Sequence, residues 1–214
     1  MSKDFQLIIP VAGPNYDFEK FNNHKLLIDI NDKKLVKWVQ VSRPYNLSDG
    51  IFIFQKRHNN KYDLVNKISK ILGKKIRYFI LNNYTAGAPQ SVLRIKNEID
   101  LKKPLFIDLL DQYIDFKNFF EFCMKNNFDG CVPIFQSLYF NRGYAKIDKQ
   151  KYITKISEKD PKPISTNSTA CVSYFREAKF FFENAELMIK KKILSSNGKY
   201  MISLVYNEMI KKKL

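Results

Sequence analysis

The run Leu105-Phe106-Ile107-Asp108-Leu109-Leu110, which stops at Asp111-Gln112, is where the residue types of this chain most plainly could do chemistry. A short apolar run bounded by polar residues reads as a buried strand, and ligands of open α/β sheets gather beyond the carboxyl ends of such strands. Asp111 therefore stands where a carboxylate could hold a divalent metal. The alternative is that it only stops the strand and starts a turn. Asp108 shares no face with Asp111 on strand alternation, so it either meets solvent at a bend or has a buried hydrogen-bond partner. His58 has no nearby Cys or His with which to bind a metal, and His24 and Cys123 lack the partners of a nucleophilic triad. Cys123, Cys131 and Cys171 have no metal-like spacing. An odd number argues against a disulfide scaffold, and they read as reduced core thiols.

The elements that must position these residues alternate in period. Strands are expected at Gln6–Pro10, Ile51–Gln55, Ile76–Leu81 and over 104–110, with a short extended piece at Leu26–Ile30 after a turn-rich stretch, Val11–His24. Helices are expected at Leu35–Ser42, Lys61–Leu72, Ala88–Ile99 and Phe119–Lys125. In the second of these Leu64, Val65, Ile68, Ile71 and Leu72 share one face, and Gly73 ends it. This repetition predicts an α/β fold with a sheet covered by helices on both faces. After Asn126 the pattern changes. Cys131–Gln136, Tyr144–Ile147, Tyr152–Ser157 and Ala170–Phe175 follow without intervening helices, which predicts hairpins or a mixed extension of the sheet. Helices at Ala178–Ile193 and Ile202–Lys211 close the chain, separated by Ser195-Ser196-Asn197-Gly198. No linker and no internal repeat divides it, so residues 1–214 are read as a single domain.

At 214 residues, 45% of them hydrophobic, the chain can bury one substantial core. No apolar run approaches the ~18–20 residues needed to span a bilayer, and the N-terminus has no long apolar region or small-residue cleavage site. A cytoplasmic protein without a membrane partner is expected. The net charge of +16 would attract polyanions. The excess is lysine spread through nearly every segment, with no basic helix, zinc spacing or aromatic RNA-binding signature, so no specific nucleic-acid partner is expected.

Several segments in fixed order resemble one family, the sugar-phosphate nucleotidyltransferases of the pyrophosphorylase type, especially the short forms associated with capsular polysaccharide biosynthesis. They are Leu7-Ile8-Ile9-Pro10-Val11-Ala12-Gly13, His24-Lys25-Leu26-Leu27, Phe54-Gln55-Lys56 with His58, Thr85-Ala86-Gly87-Ala88, Asp111-Gln112, Tyr144-Ala145-Lys146-Ile147-Asp148, Ile156-Ser157-Glu158-Lys159, and Asn197-Gly198 followed by Val205-Tyr206-Asn207-Glu208. The resemblance spans almost the whole chain. It implies a Rossmann-like nucleotide-diphospho-sugar transferase fold with a mixed, mostly parallel central sheet. The implied reaction is attack of a sugar phosphate, or a similar phosphorylated metabolite, on the α-phosphorus of a nucleoside triphosphate, releasing pyrophosphate in a capsule or surface-glycan pathway. It further implies that Ala12 and Gly13 admit the triphosphate, with Gly13 letting backbone amides approach it, and that Lys25 places a charge on its phosphates. Thr85, Gly87 and Ala88 would contact base or ribose, and Asp111 would hold Mg²⁺ with Lys25 as the second catalytic group. Gln112, Glu158, Lys159 and Asn207 fall to the acceptor substrate, Lys159 to its phosphate. A second metal carboxylate has no clear counterpart, Glu208 and Asn207 being the available candidates, and a homo-oligomer is compatible with the family.

The chain also departs from that family. Its first loop normally carries an arginine after the glycine, and Ala12-Gly13-Pro14-Asn15-Tyr16-Asp17-Phe18 has none. Asp17 lies near the expected place, where a carboxylate would repel a triphosphate. The proline expected before Leu26 is absent, and Leu109-Leu110 replace polar residues before the metal aspartate. Two other classes therefore stand beside the transferase: a homologue that binds nucleotide or sugar phosphate without turnover, and a glycosyltransferase of related fold, although Asp111-Gln112-Tyr113 is not that class's Asp-x-Asp.

Overall fold

A computed structural model describes residues 5–139 and 141–214; of Asp17 and Glu19 only the backbone is described. Its strands are β1 Gln6–Pro10, β2 Asp29–Ile30, β3 Lys33–Lys34, β4 Ile51–Gln55, β5 Arg77–Leu81, β6 Leu105–Asp108, β7 Gly130–Cys131, β8 Ile134–Gln136, β9 Gly143–Ile147, β10 Ile153–Glu158, β11 Asn167–Thr169 and β12 Val172–Phe175. Its helices are α1 Tyr16–Glu19, α2 Leu35–Val41, α3 Lys56–Tyr62, α4 Leu64–Leu72, α5 Ala88–Leu93, α6 Lys117–Lys125, α7 Ala178–Lys190 and α8 Val205–Lys211.

The central sheet has the order β5-β4-β1-β6-β12-β7. The first four strands are parallel, and β12 runs antiparallel to both β6 and β7. Every residue of β4, β6 and β12 is buried, as expected of strands covered on both faces. In β1 the alternation divides the core: Ile8 joins Ile53 and Ile107 under α5, α7 and α8, whereas Leu7 and Ile9 join Phe52, Phe54 and Phe106 under α2, α4 and α6. Because β1, β4, β5 and β6 are parallel, the segments that follow them leave the sheet on one edge.

The region after Asn126 resolves into both expected forms. β12 extends the central sheet, while β10-β9-β11-β8 form a separate antiparallel sheet. β9 and β10 are a hairpin whose turn is held by Asp148, which accepts the amides of Gln150 and Tyr152. Asn207 of α8 clamps β10 by pairing both ways with the backbone of Ile156.

Several expected elements are shorter or broken. The helix expected from Lys61 begins at Lys56, because the Gln55 side chain accepts the amides of Arg57 and His58, and it breaks at Asp63, whose φ is +53°. Of the extended piece expected at Leu26–Ile30, Lys25–Leu27 form a 3₁₀ turn and only Asp29–Ile30 pair, with β3. The strand expected over 104–110 pairs only from Leu105 to Asp108.

Two buried polar clusters fix the loops at the carboxyl edge. The first surrounds Asp108, which takes the buried alternative. Arg43 Nε donates to its Oδ2 at 2.6 Å and Nη2 to its Oδ1 at 3.1 Å, Tyr45 donates to Oδ2 at 2.9 Å, and the Leu110 amide to Oδ1 at 3.0 Å. Both charged side chains are inaccessible to solvent. Arg43 also donates to the carbonyls of Gln112 and Ile114 and lies 4.5 Å above the Phe116 ring centre. Burial disfavours its charge, but the hydrogen bonds and charge of Asp108 outweigh that and raise its pKa. The second cluster contains His24, buried beside the rings of His58 and Tyr62, with Nδ1 accepting the Leu26 amide at 3.3 Å. Burial first, then the charges of His58 and Lys25, push its pKa down to about 3.

Asp108→Ala would leave the guanidinium buried without its counter-ion, and we expect a loss of ~3–5 kcal/mol in urea unfolding. Arg43→Met combined with Asp108→Leu should recover more than half of it; a single-variant loss near zero would show that the pair does not hold the loop. His24 sets a pH dependence. Its neutral form is favoured in the folded state, so its contribution is complete above pH ~6.5 and is lost as pH falls toward about 3, at up to ~1.4 kcal/mol per unit. Stability measured by urea titration across that window should fall less steeply in His24→Gln than in the unaltered chain.

Candidate functional site

Beyond β6 the chain turns through Leu110, at φ +54°, into Asp111 and Gln112. The left-handed conformation costs a leucine on the order of 1–2 kcal/mol. The Asp108 carboxylate on its amide and its fully buried side chain hold it there. Gln112 is anchored twice, by Arg43 on its carbonyl and by the Cys171 amide on its Oε1 at 3.1 Å. Asp111 and Gln112 thereby line an open cavity of about 430 Å³. Among the described residues the Asp111 carboxylate makes no ion pair.

The opposite wall is the end of the β9–β10 hairpin, which supplies Arg142, Gly143, Glu158 and Lys159. Gly143 stands opposite Glu158 in the ladder, where a Cβ would collide with the Glu158 carboxylate and the Thr169 hydroxyl. A glycine is therefore required to let Glu158 lie across the strand. Glu158 is buried and accepts from the Ser203 hydroxyl. Burial pushes its pKa up; the Ser203 bond and the Lys159 charge oppose this, and Asp111 adds to it. Lys159, at φ +58°, donates its amide to the Arg142 carbonyl at 3.0 Å and its ammonium to the Asn141 carbonyl at 2.8 Å.

Asp111, Gln112, Glu158 and Lys159, far apart in sequence, thus share one cavity. Asn207 and Glu208 do not line it. Asn207 is committed to β10, and Glu208, buried on α8, is held by Lys191 at 2.7 Å and by Lys211. A carboxylate already paired with two ammonium groups is poorly suited to hold a metal beside Asp111. No cluster of three or more His, Cys, Asp or Glu that could bind a metal occurs among the described residues. The site nevertheless fits Mg²⁺, which is commonly held by one or two carboxylates with water and substrate phosphates completing its shell.

The residues expected at the nucleotide lie along the same edge but outside this cavity. Ala12 and Gly13 follow β1, adjacent to β6, and a Cβ on Gly13 would meet nothing within 4 Å. Asn15 ties that loop to Lys25, accepting its amide at 3.1 Å and donating to the Asn23 carbonyl at 2.9 Å. Thr85 closes the loop after β5 through the Gly87 carbonyl and the Ser91 hydroxyl. Gly87, at φ +152°, bridges to Tyr200, whose backbone a Cβ would strike, so packing alone requires this glycine; Ala88 begins α5 behind it. The Asp17 side chain lies outside the described residues. The sequence reading missed Arg142, Gly143 and Asn15. The available signal was Arg142-Gly143 just ahead of an alternating strand, which takes on meaning only when that strand end meets the Asp111 loop.

No helix among the described residues is long and apolar enough to cross a membrane. No family model and no curated protein sequence matches the chain. Solved structures do. The chain is similar to a nucleoside-diphosphate-sugar pyrophosphorylase from Vibrio cholerae RC9, with TM-score 0.78 and 21% identity over 98% of this chain and 89% of that one. It is also similar to a Bacillus anthracis protein assigned as a glucose-1-phosphate thymidylyltransferase and solved with a sucrose, with TM-score 0.73 and 17% identity over 98% and 83%. A UDP-glucose pyrophosphorylase complexed with UDP-glucose gives 0.71 and 14% over 97% and 87%. The mixed, mostly parallel sheet flanked by helices is therefore the Rossmann-like fold of these sugar nucleotidyltransferases.

Proposed function

We propose that this protein is a sugar-phosphate nucleotidyltransferase, joining a nucleoside monophosphate from a triphosphate to a sugar phosphate or similar phosphorylated metabolite and releasing pyrophosphate. The observation that carries this reading is the meeting of Asp111-Gln112, from the carboxyl end of β6, with Glu158-Lys159, from the end of β10, in one cavity of a fold shared with pyrophosphorylases. The resemblance of the ordered sequence segments to the capsule-associated short forms supports the same reaction class and a role in supplying surface-glycan assembly.

The reaction needs in-line attack, donors near the phosphates and cations against the growing charge. The triphosphate lies along the edge formed by Ala12, Gly13, Lys25 and the Thr85–Ala88 loop, and Lys25 supplies a compact positive charge to its phosphates. The acceptor occupies the cavity, with Glu158 and Gln112 toward its polar groups and Lys159 toward its phosphate. Mg²⁺, when bound at Asp111, neutralises phosphate charge. The absent loop arginine leaves Lys20 and Lys25 as the cations that the sequence places near the first loop.

The deciding experiment is pyrophosphate release across the four nucleoside triphosphates paired with a panel of sugar phosphates; release by the unaltered chain is expected, and silence throughout would remove the transferase reading. Asp111→Asn should keep the fold, abolish Mg²⁺-dependent stabilisation by the triphosphate against heat and lower pyrophosphate release by ~10²–10³-fold. Unchanged release would remove Asp111 from the mechanism. Lys25→Ala should weaken triphosphate binding by roughly tenfold or more while leaving free-nucleoside binding nearly unchanged, because the lysine meets phosphates and not the base. Equal losses in a titration of both ligands would count against that role.

A further inference from the structure

Arg142 and Lys159 stand side by side where the β9–β10 hairpin ends, one residue beyond the Gly143–Glu158 pair. The backbone between them is closed by the Lys159 amide on the Arg142 carbonyl. Like charges facing each other across a ladder are unfavourable. The other cationic pair of this hairpin, Lys146 opposite Lys155, is exposed, and water screens it. Arg142 and Lys159 instead line the cavity that holds Asp111. Both carboxylates of that cavity, Asp111 and Glu158, would be natural partners for Arg142, yet among the described residues it makes no ion pair. Its guanidinium lies 5.4 Å from the ring centre of Phe135 and 5.7 Å from that of Tyr139. These contacts restrict the side chain without consuming its donors.

Tyr139 is tied to the hairpin through its backbone. Its carbonyl accepts the hydroxyl of fully buried Tyr144, and the Ser137 amide is bonded to the Thr166 carbonyl at 2.9 Å. The Lys159 ammonium is engaged by the Asn141 carbonyl. Of the two cations, Arg142 keeps its whole donor fork for a ligand. A planar guanidinium matches a tetrahedral dianion bidentately, and a dianion between the two side chains relieves their mutual repulsion.

We propose that Arg142 binds the phosphate monoester of the acceptor, with Lys159 as the second and weaker contact. This assignment rests on the transferase reading for the identity of that substrate, and on the cavity alone for the anion.

The test is calorimetric titration of the full chain with inorganic phosphate, with a hexose 1-phosphate and, separately, with nucleoside triphosphate, comparing the unaltered chain, Arg142→Gln, Arg142→Lys and the control Lys146→Gln, which removes the same charge from an exposed site on the same hairpin. Arg142→Gln should weaken the hexose 1-phosphate and inorganic phosphate by about tenfold or more, with triphosphate affinity and melting temperature nearly unchanged. Arg142→Lys should recover part of the loss, and Lys146→Gln should behave as the unaltered chain. The proposal is overturned by an unaltered chain that binds neither phosphate probe, by equal affinities in Arg142→Gln, or by an equal loss in Lys146→Gln. Arg142-dependent phosphate binding in a chain that releases no pyrophosphate with any triphosphate would sink the transferase reading and leave this site standing. Pyrophosphate release undiminished in Arg142→Gln would do the reverse.

Discussion

The buried ion pair between Arg43 and Asp108 is the constraint on which the candidate site depends. Removing both charges from water is costly, and the cost is met here by satisfying nearly every donor and acceptor in the cluster. The partners chosen are informative. Two of the Arg43 bonds go to the carbonyls of Gln112 and Ile114, just after Asp111, and Asp108 fixes the amide of Leu110, just before it. The pair thus converts the end of β6 into a loop of defined shape. A hydrophobic pair of equal volume would fill the space but would offer those carbonyls no donor.

The second wall is built by different means. The β9–β10 hairpin belongs to the smaller sheet, and its position against the central sheet is set by α8, through Asn207 on Ile156, and by Ser203 on Glu158. Gly143 allows the Glu158 side chain to cross the ladder, and Lys159 turns out of it at a positive φ. Three local departures from regular geometry at one strand end, a bare glycine, a buried carboxylate and a left-handed lysine, are arrangements that fold stability alone does not call for. Their coincidence at the mouth of a cavity is consistent with a site for a charged ligand.

Electrostatics at the two scales differ. The chain as a whole is strongly basic, which raises the local concentration of any anion without specifying it. The cavity holds two acids and two bases, Asp111 on the loop after β6 and Glu158, Arg142 and Lys159 together on the hairpin wall that faces it. Glu208, by contrast, spends its charge on Lys191 and Lys211 and serves to hold α7 and α8 together.

The sequence by itself determined the alternation of strands and helices through the central sheet, because strands buried on both faces must be apolar runs, as Ile51–Gln55 and Leu105–Ile107 are, and because helix faces repeat at a period that Leu64 and Ile68 display. It also singled out Asp111, since a polar residue just past an apolar run is visible without coordinates. Tertiary structure alone decided the rest. Whether Asp108 met water or a partner turned on Arg43, distant in sequence and one of many cations in a lysine-rich chain. The pairing of Glu208 combined a local partner, Lys211 on its own helix, with Lys191 at the end of α7, which only the packing of the two helices brings to it. Arg142 acquired a meaning only when an antiparallel hairpin brought it beside Lys159 and across from the β6 loop, because long-range pairing leaves no periodic trace in the residues it brings together.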